Sequence, residues 1–249
     1  MRAKNERLAA LAGAATMLAG WKLASLCIGK DIILPPPERV LIRAAALFAE
    51  PAFIHALAAT LGRGLAAFAL SMAAGALIGA GCGASPRFAA FVSPLLSAIR
   101  ALPVIALILL FLFWFDVGAV PVFAAFLMAF PVVAAQVAEG WRSTDPRLLE
   151  MASLFRLERG RVLFGIRVPS MTGHLAAAAQ AAIGLSWKVV IAGEVLSQPA
   201  RALGTGLQDR RLMLDTAGVL AWAAAGVLLC ALSDAVFRAF RLNLARHGL

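Results

Sequence analysis

Residues 119–138 read AVPVFAAFLMAFPVVAAQVA, a run of about 20 residues without a charged side chain. A helix of that length rises about 30 Å, which matches the hydrocarbon core of a bilayer. The rest of the chain has the same character, because 62% of its 249 residues are hydrophobic and only 14% are charged. The composition predicts an integral membrane protein and argues against a soluble domain with an apolar core.

Five further apolar segments flank this run. Predicted spans precede it at residues 8–28, 56–82 and 88–115, the last interrupted by Pro94 and Pro103, and follow it at 173–196 and 214–237. The fold prediction is therefore an all-α, polytopic membrane protein of about six transmembrane helices. The chain divides into an N-terminal transmembrane helix (1–32), an external connection with a short amphipathic helix (33–55), a membrane core (56–240) and a tail (241–249).

The N-terminal segment has features of a secretory signal, because Arg2, Lys4 and Arg7 precede an apolar run. The run resumes after Lys22, which makes it long enough to span, and Leu26 fits poorly with a lipoprotein cleavage site before Cys27. We expect this segment to be retained as the first span.

Charge distribution predicts the orientation. Because successive spans cross the membrane in opposite directions, most lysines and arginines outside the spans lie on the same side of the membrane as the N-terminus. Positive charge is retained in cytoplasmic loops. Both termini and residues 139–167 are therefore expected in the cytoplasm. The net charge of +10 does not indicate nucleic-acid binding, since the basic residues are not interleaved with aromatic ones on a polar domain.

The long polar segment after residue 138 has the pattern of a short amphipathic helix. Asp145 can cap a helix that starts at Pro146, and an apolar stripe follows at i, i+3, i+4 and i+7. Its members are Leu148, Met151, Ala152 and Phe155. Such an apolar stripe is expected to be buried against another surface. That surface is either the protein's own cytoplasmic face or the lipid headgroups, or it is a partner protein, and the pattern alone does not decide between these alternatives.

Within this segment, Glu150-Met151-Ala152, followed by Ile166 and Pro169, resembles the EAA motif of ABC importer permeases. The resemblance implies a type I ABC importer permease fold and a coupling helix that docks into a groove of an ABC ATPase subunit. The motif glycine is replaced by Arg156, so we expect a longer helix with the turn supplied by Gly160. The implied coupling loop, residues 139–169, contains the ATPase-coupling residues Leu148, Glu150, Met151, Ala152, Phe155, Arg156, Gly160, Ile166 and Pro169.

The similarity extends to other segments. Three further segments resemble those of the nitrate, sulfonate and taurine permeases. They contain Arg100 and Pro103, Trp187 and Glu194, and Gly204-x-Gly206. This resemblance implies a non-catalytic subunit in the bacterial inner membrane that moves a small anion, such as a sulfonate or nitrate, by alternating access. The implied partners are a separate ATPase, a periplasmic or lipid-anchored substrate-binding protein, a second permease subunit, expected to be identical, and membrane lipid.

The residues give little support to other functions. No phosphate-binding loop or hydrolase motif is present, and the three cysteines lack metal-site spacing, so no cofactor is expected. A secondary transporter driven by an ion gradient would be expected to carry paired midplane carboxylates or an inverted repeat, and neither is evident. An ABC permease for another solute, such as a thiamine precursor, stays an alternative.

Ionisable residues within spans suggest a substrate pathway, because charge in hydrocarbon is costly. The ionisable candidates are Arg100, Lys188 and Glu194, and Pro103 joins them because a proline-interrupted helix can expose backbone groups to a cavity. For Arg100 the alternative is a structural arginine that snorkels or pairs across a helix contact. Lys188 and Glu194 are not expected to pair with each other, and Arg63 is expected to snorkel.

Overall fold

The computed structural model describes residues 2–246, and the side-chain surroundings of residues 8, 9 and 11–239. The predicted tail begins within the last helix, and residues 247–249 lie outside the described part. The predicted all-α fold is confirmed for the described residues, which form helices without strands. The helices are α1 (Arg2–Ile28), α2 (Pro37–Leu47), α3 (Pro51–Ala84), α4 (Pro86–Ala101), α5 (Val104–Phe111), α6 (Val120–Arg142), α7 (Pro146–Leu154), α8 (Arg159–Val162), α9 (Val168–Ser170), α10 (Thr172–Ser197), α11 (Leu203–Leu212) and α12 (Thr216–Arg246), with a π-helix at Leu163–Arg167 between α8 and α9.

Within residues 2–246, five helices are long and apolar enough to cross a membrane, namely α1, α3, α6, α10 and α12. The pair α4 and α5 would make a sixth span, bent by 94°. The helix α3 begins at Pro51, so the last residues of the predicted connection 33–55 already belong to this span.

The bend between α4 and α5 coincides with Pro103. Pro94 lies inside α4 without ending it, whereas Leu102 is extended, with φ −72° and ψ 131°, and Pro103 occupies the N-cap position of α5. A proline disfavours helical geometry in the residue before it, which explains why the break falls at this position. The predicted third span, residues 88–115, is therefore two helices at nearly a right angle.

The membrane core is built from α3, α6 and α10, with α6 at its centre. Small residues allow the backbones to approach closely, as is common between membrane helices. A methyl group at Gly79 of α3 would lie 2.5 Å from the Ala134 carbonyl oxygen of α6, and one at Gly64 would lie 2.0 Å from the Trp187 ring of α10. These contacts fix the register of the three helices.

The helix α1 packs little against the rest of the described chain, and nearly all of its apolar surface is exposed. Polar contacts attach its end to the connection that follows. Trp21 Nε1 donates to the Pro35 carbonyl at 3.1 Å, Ser25 Oγ donates to the Leu34 carbonyl at 2.9 Å, and Lys22 pairs with Glu38. The hydrogen bond from Lys22 lowers the pKa of the Glu38 carboxyl.

Candidate functional site

The loop between α6 and α10 forms one candidate site, at the end of the bundle that we call the α7 face. Its first helix starts as predicted. The Asp145 carboxylate accepts a hydrogen bond from the Arg147 backbone N–H at 2.9 Å, and Pro146 occupies the first helical position. This cap satisfies one of the amides that any helix start leaves unpaired.

The four residues of the predicted stripe divide into two groups. Leu148, Met151 and Phe155 are 39%, 44% and 69% exposed, whereas Ala152 is 2% exposed. Ala152 therefore packs inside the protein, and the expectation of one continuous stripe facing a partner is wrong at this residue. The other three side chains form an uncovered apolar surface.

Arg156 makes the turn that ends α7. Its φ is +51°, in the left-handed region, and two hydrogen bonds close the turn, from Arg156 N–H to the Ser153 carbonyl and from Leu157 N–H to the Ala152 carbonyl. This is a Schellman motif, which usually places glycine at the left-handed position. The expectation that α7 runs on to a turn at Gly160 is wrong, because Gly160 lies inside α8.

The far end of the loop is anchored to α6. The Arg167 guanidinium stacks over the Trp141 ring at 4.3 Å and donates to the Trp141 carbonyl at 3.3 Å. Ile166 lies in the π-helix and Pro169 in α9, so both motif residues belong to the helical segment that leads back to α10. Glu150 is exposed, and no ion pair involves it within the described residues.

Arg100 lies beside the break between α4 and α5. Its Nη2 donates to the Pro131 carbonyl at 2.6 Å, and Pro131 occupies the middle of α6. Arg100 is thus paired across a helix contact at mid-depth of the bundle, and its guanidinium makes no other hydrogen bond within the part of the chain that the structure describes. Pro103 shapes this site through the bend.

Lys188 is exposed on α10, about nine residues before the end of that helix. It lines a mainly apolar cleft of about 470 Å³ between α10 and α12, together with Trp222 and Cys230. As predicted, Lys188 does not pair with Glu194.

Glu194 has no exposed surface, and its partner is Arg63, whose Nη1 lies 2.8 Å from Oε1. The expectation that Arg63 snorkels is therefore wrong. Thr60 Oγ1 donates to the same carboxylate, with both oxygens at 2.9 Å. Sequence analysis did not identify Thr60; its spacing of three residues from Arg63 on one helix was the available signal.

The family of the chain follows from comparison with known proteins. Residues 71–246 match the family model described as binding-protein-dependent transport system inner membrane component. The chain belongs to this family. It is accordingly a multi-pass inner-membrane component of a transport system, which confirms the predicted permease class.

Curated relatives cover most of the chain. It is 26% identical over 235 residues to a taurine transport system permease protein of Escherichia coli, covering 92% of this chain and 85% of the relative. It is 23% identical over 220 residues to a putative aliphatic sulfonates transport permease protein of Bacillus subtilis, covering 86% and 79%. It is 28% identical over 204 residues to a formylaminopyrimidine transport permease protein of Halalkalibacterium halodurans, covering 81% and 80%.

Proposed function

We propose that this permease is the membrane-spanning subunit of an ATP-driven importer of a small anion, with a separate ATPase subunit bound at residues 139–169. The observation that carries the proposal is the exposed apolar surface of α7 in a loop with an EAA-like motif. In a binding-protein-dependent transport system, this surface is the element suited to receive the motion of an ATPase.

The chemistry of α7 favours a protein partner for this surface. Leu148, Met151 and Phe155 expose three large apolar groups at helical spacing, and Glu150 adds an exposed carboxylate that has no ion-pair partner among the described residues. A lipid surface would be expected to repel that carboxylate, because the cytoplasmic leaflet is anionic. A groove with an apolar floor and a basic rim would satisfy both features.

The orientation that follows from the proposal has the α7 face and both termini in the cytoplasm, and the opposite end of the bundle, where α11 lies, outside. Arginines near the α7 face support this assignment through the positive-inside rule. Reporter fusions after Arg161 and at the C-terminus should therefore read cytoplasmic, and a fusion near Arg201 should read external. A cytoplasmic signal near Arg201 would overturn the orientation.

Two cations suggest an anionic substrate. Arg100 and Lys188 are exposed within the membrane region, where an uncovered charge costs several kcal/mol, so we place both toward water or a second permease subunit. A broken span is tolerated only where its backbone is packed in protein or lines a cavity, and Arg100 lies at such a break. The relatives named for taurine and aliphatic sulfonates agree with this choice.

The mechanism we infer is alternating access, with two copies of this chain around one pathway. A substrate-binding protein delivers the anion outside, and the ATPase drives the conformational change through α7. Glu194 is not assigned to the pathway, because its carboxylate is enclosed by Thr60 and Arg63. Arg100 holds one bond to Pro131, and an arginine has five N–H donors, which leaves donors for an anion.

The test is ATP-dependent uptake of labelled taurine by host cells, with copurification of the ATPase. Arg100→Gln should lower uptake about tenfold, because a cation in the pathway is lost, while the ATPase still copurifies. Unchanged uptake, or loss of the complex itself, would refute the pathway role of Arg100. Uptake that survives ATP depletion and collapses with an uncoupler would refute the importer and favour a secondary transporter.

A second candidate substrate follows from the relative named for formylaminopyrimidine transport. Competition experiments separate the two. We expect excess unlabelled sulfonates, and to a lesser degree nitrate, to inhibit taurine uptake. Specific uptake of a formylaminopyrimidine without any uptake of taurine would favour the second candidate.

A further inference from the structure

The helix α11 begins without a cap from its own segment. Ala202 occupies the N-cap position, in extended geometry, and its methyl group cannot accept a hydrogen bond. Every helix leaves its first amides unpaired, and a side chain at the N-cap usually accepts one of them. In α11 the first two amides are instead paired with side chains of two spans.

The two acceptors belong to α3 and α10. Leu203 N–H donates to Thr60 Oγ1 at 3.0 Å, and Gly204 N–H donates to Glu194 Oε2 at 3.1 Å. Thr60 in turn donates its hydroxyl hydrogen to the Glu194 carboxylate. A carboxylate at a helix N-terminus also interacts favourably with the helix dipole.

Arg63 completes the set of contacts. Its Nη1 donates to Glu194 Oε1 at 2.8 Å and to the Arg201 carbonyl, just before α11, at 2.9 Å. The buried carboxylate is thus balanced by a guanidinium, a hydroxyl and a helix N-terminus. A buried charge with one partner removed is strongly unfavourable, so these contacts form and break together.

Two glycines place α11 directly against its neighbours. A methyl group at Gly204 would lie 2.5 Å from the Val195 backbone nitrogen, and one at Gly206 would lie 2.2 Å from the Trp222 ring. The start of α11 is therefore capped and packed only when α3, α10 and α12 are in their present arrangement. A cap within its own segment would make α11 helical in any arrangement of the spans.

We propose that Glu194 is a positioning residue that caps α11 from the α3 and α10 contact and so fixes the surface on which the substrate-binding protein docks. The docking part rests on the proposed function, which places α11 outside. Arg201, just before α11, and Asp209 and Arg211 within it are exposed charged residues that a soluble partner would meet. Glu194 acts on that surface through α11 and does not contact the partner.

The first experiment tests the cap in the permease complex in nanodiscs, by hydrogen exchange of the α11 amides. Glu194→Gln and Thr60→Val should each speed exchange at the start of α11 about tenfold, because each removes part of the acceptor set. Thr60→Ser keeps the hydroxyl and should exchange like the wild type. Wild-type exchange rates in both Glu194→Gln and Thr60→Val would overturn the proposal and leave the importer assignment unaffected. If Glu194→Gln does not accumulate in the membrane, the result for Thr60→Val decides alone.

The second experiment tests docking, by titrating the ATPase activity of the same complex with purified, substrate-loaded binding protein. Glu194→Gln should raise the half-saturating concentration about tenfold and leave the basal rate unchanged. Adding Ala202→Ser supplies an N-cap within the segment, and we expect it to slow exchange without restoring docking. Restored docking in the double variant would show that helix formation alone suffices and would overturn the positioning role. A wild-type complex without any stimulation would refute the proposed function instead.

Discussion

The loop helix α7 and the helix α11 lie at opposite ends of the bundle and are closed by the same motif, yet they are attached in different ways. Each ends in a Schellman turn with a non-glycine residue in the left-handed region, Arg156 with φ +51° and Leu214 with φ +57°. The start of α7 is capped by its own Asp145, whereas the start of α11 is capped by Thr60 and Glu194 from two spans.

This difference has a mechanical consequence. A helix with its own cap can move as a unit and keep its hydrogen bonds, which suits an element driven by an ATPase. A helix capped by two spans loses those bonds when the spans separate, which suits a surface whose conformation depends on the arrangement of the spans. The exposed apolar surface of α7 and the close glycine contacts of α11 agree with these two roles.

The largest effect is expected from Ala152→Arg. Ala152 is buried under α7, so a long cation there would displace the helix or bury an unpaired charge, at a cost of about 3–5 kcal/mol. Copurification of the ATPase and uptake should fall together by more than tenfold, with membrane abundance near normal. Ala152→Ser is the control and should behave like the wild type. Wild-type assembly in Ala152→Arg would show that α7 does not depend on its packed face.

A smaller effect is expected at the other helix from Gly204→Ala. The new methyl group would contact backbone atoms of α10, which cannot move aside easily, so we expect a loss of about 1–3 kcal/mol confined to α11. Trypsin added to spheroplasts should cut faster at Arg210 and Arg211. Gly62→Ala is the matched control, because no heavy atom lies within 4 Å of its added methyl group. Equal cleavage in the two variants would contradict the close seating of α11.

The smallest effect is expected from Arg156→Gly, which relieves a left-handed conformation. Removing that strain should stabilise the turn by about 0.5–1 kcal/mol, seen as slower hydrogen exchange at residues 154–158. Arg156→Val should do the opposite, since a β-branched residue is poorly suited to positive φ. If Arg156→Gly keeps full uptake, the arginine serves no essential contact. Faster exchange in Arg156→Gly would show that side-chain contacts of Arg156, and not the backbone, hold the turn.

Local patterns in the sequence predicted much of this architecture. Long apolar runs indicated the spans, and Asp145-Pro146 indicated the start of α7, because both signals depend only on neighbouring residues. The turn at Arg156 was missed because a turn without glycine leaves no compositional signal. The right-angle bend at Pro103 was predicted only as an interruption, since proline indicates where a helix breaks and not the angle.

The pairing of Arg63 with Glu194 could not be predicted from local pattern. The two residues are 131 positions apart, and each alone is consistent with a snorkelling or pathway residue. The burial of Ala152 was missed for a related reason, because periodicity places it on the same helix face as Leu148 and Met151 but does not show where that face meets the protein. Tertiary contacts, which local pattern does not show, decide both cases.

The most direct test of the account is site-specific photo-cross-linking from α7 in the assembled transporter. A benzoylphenylalanine placed at Met151, on the exposed apolar surface, should cross-link to the ATPase subunit. The same probe placed at Ser153, also exposed but on the opposite side of α7, should give little of that product. Cross-linking to the ATPase from both positions alike, or to lipid alone from Met151, would contradict the claim that this surface couples the permease to ATP hydrolysis.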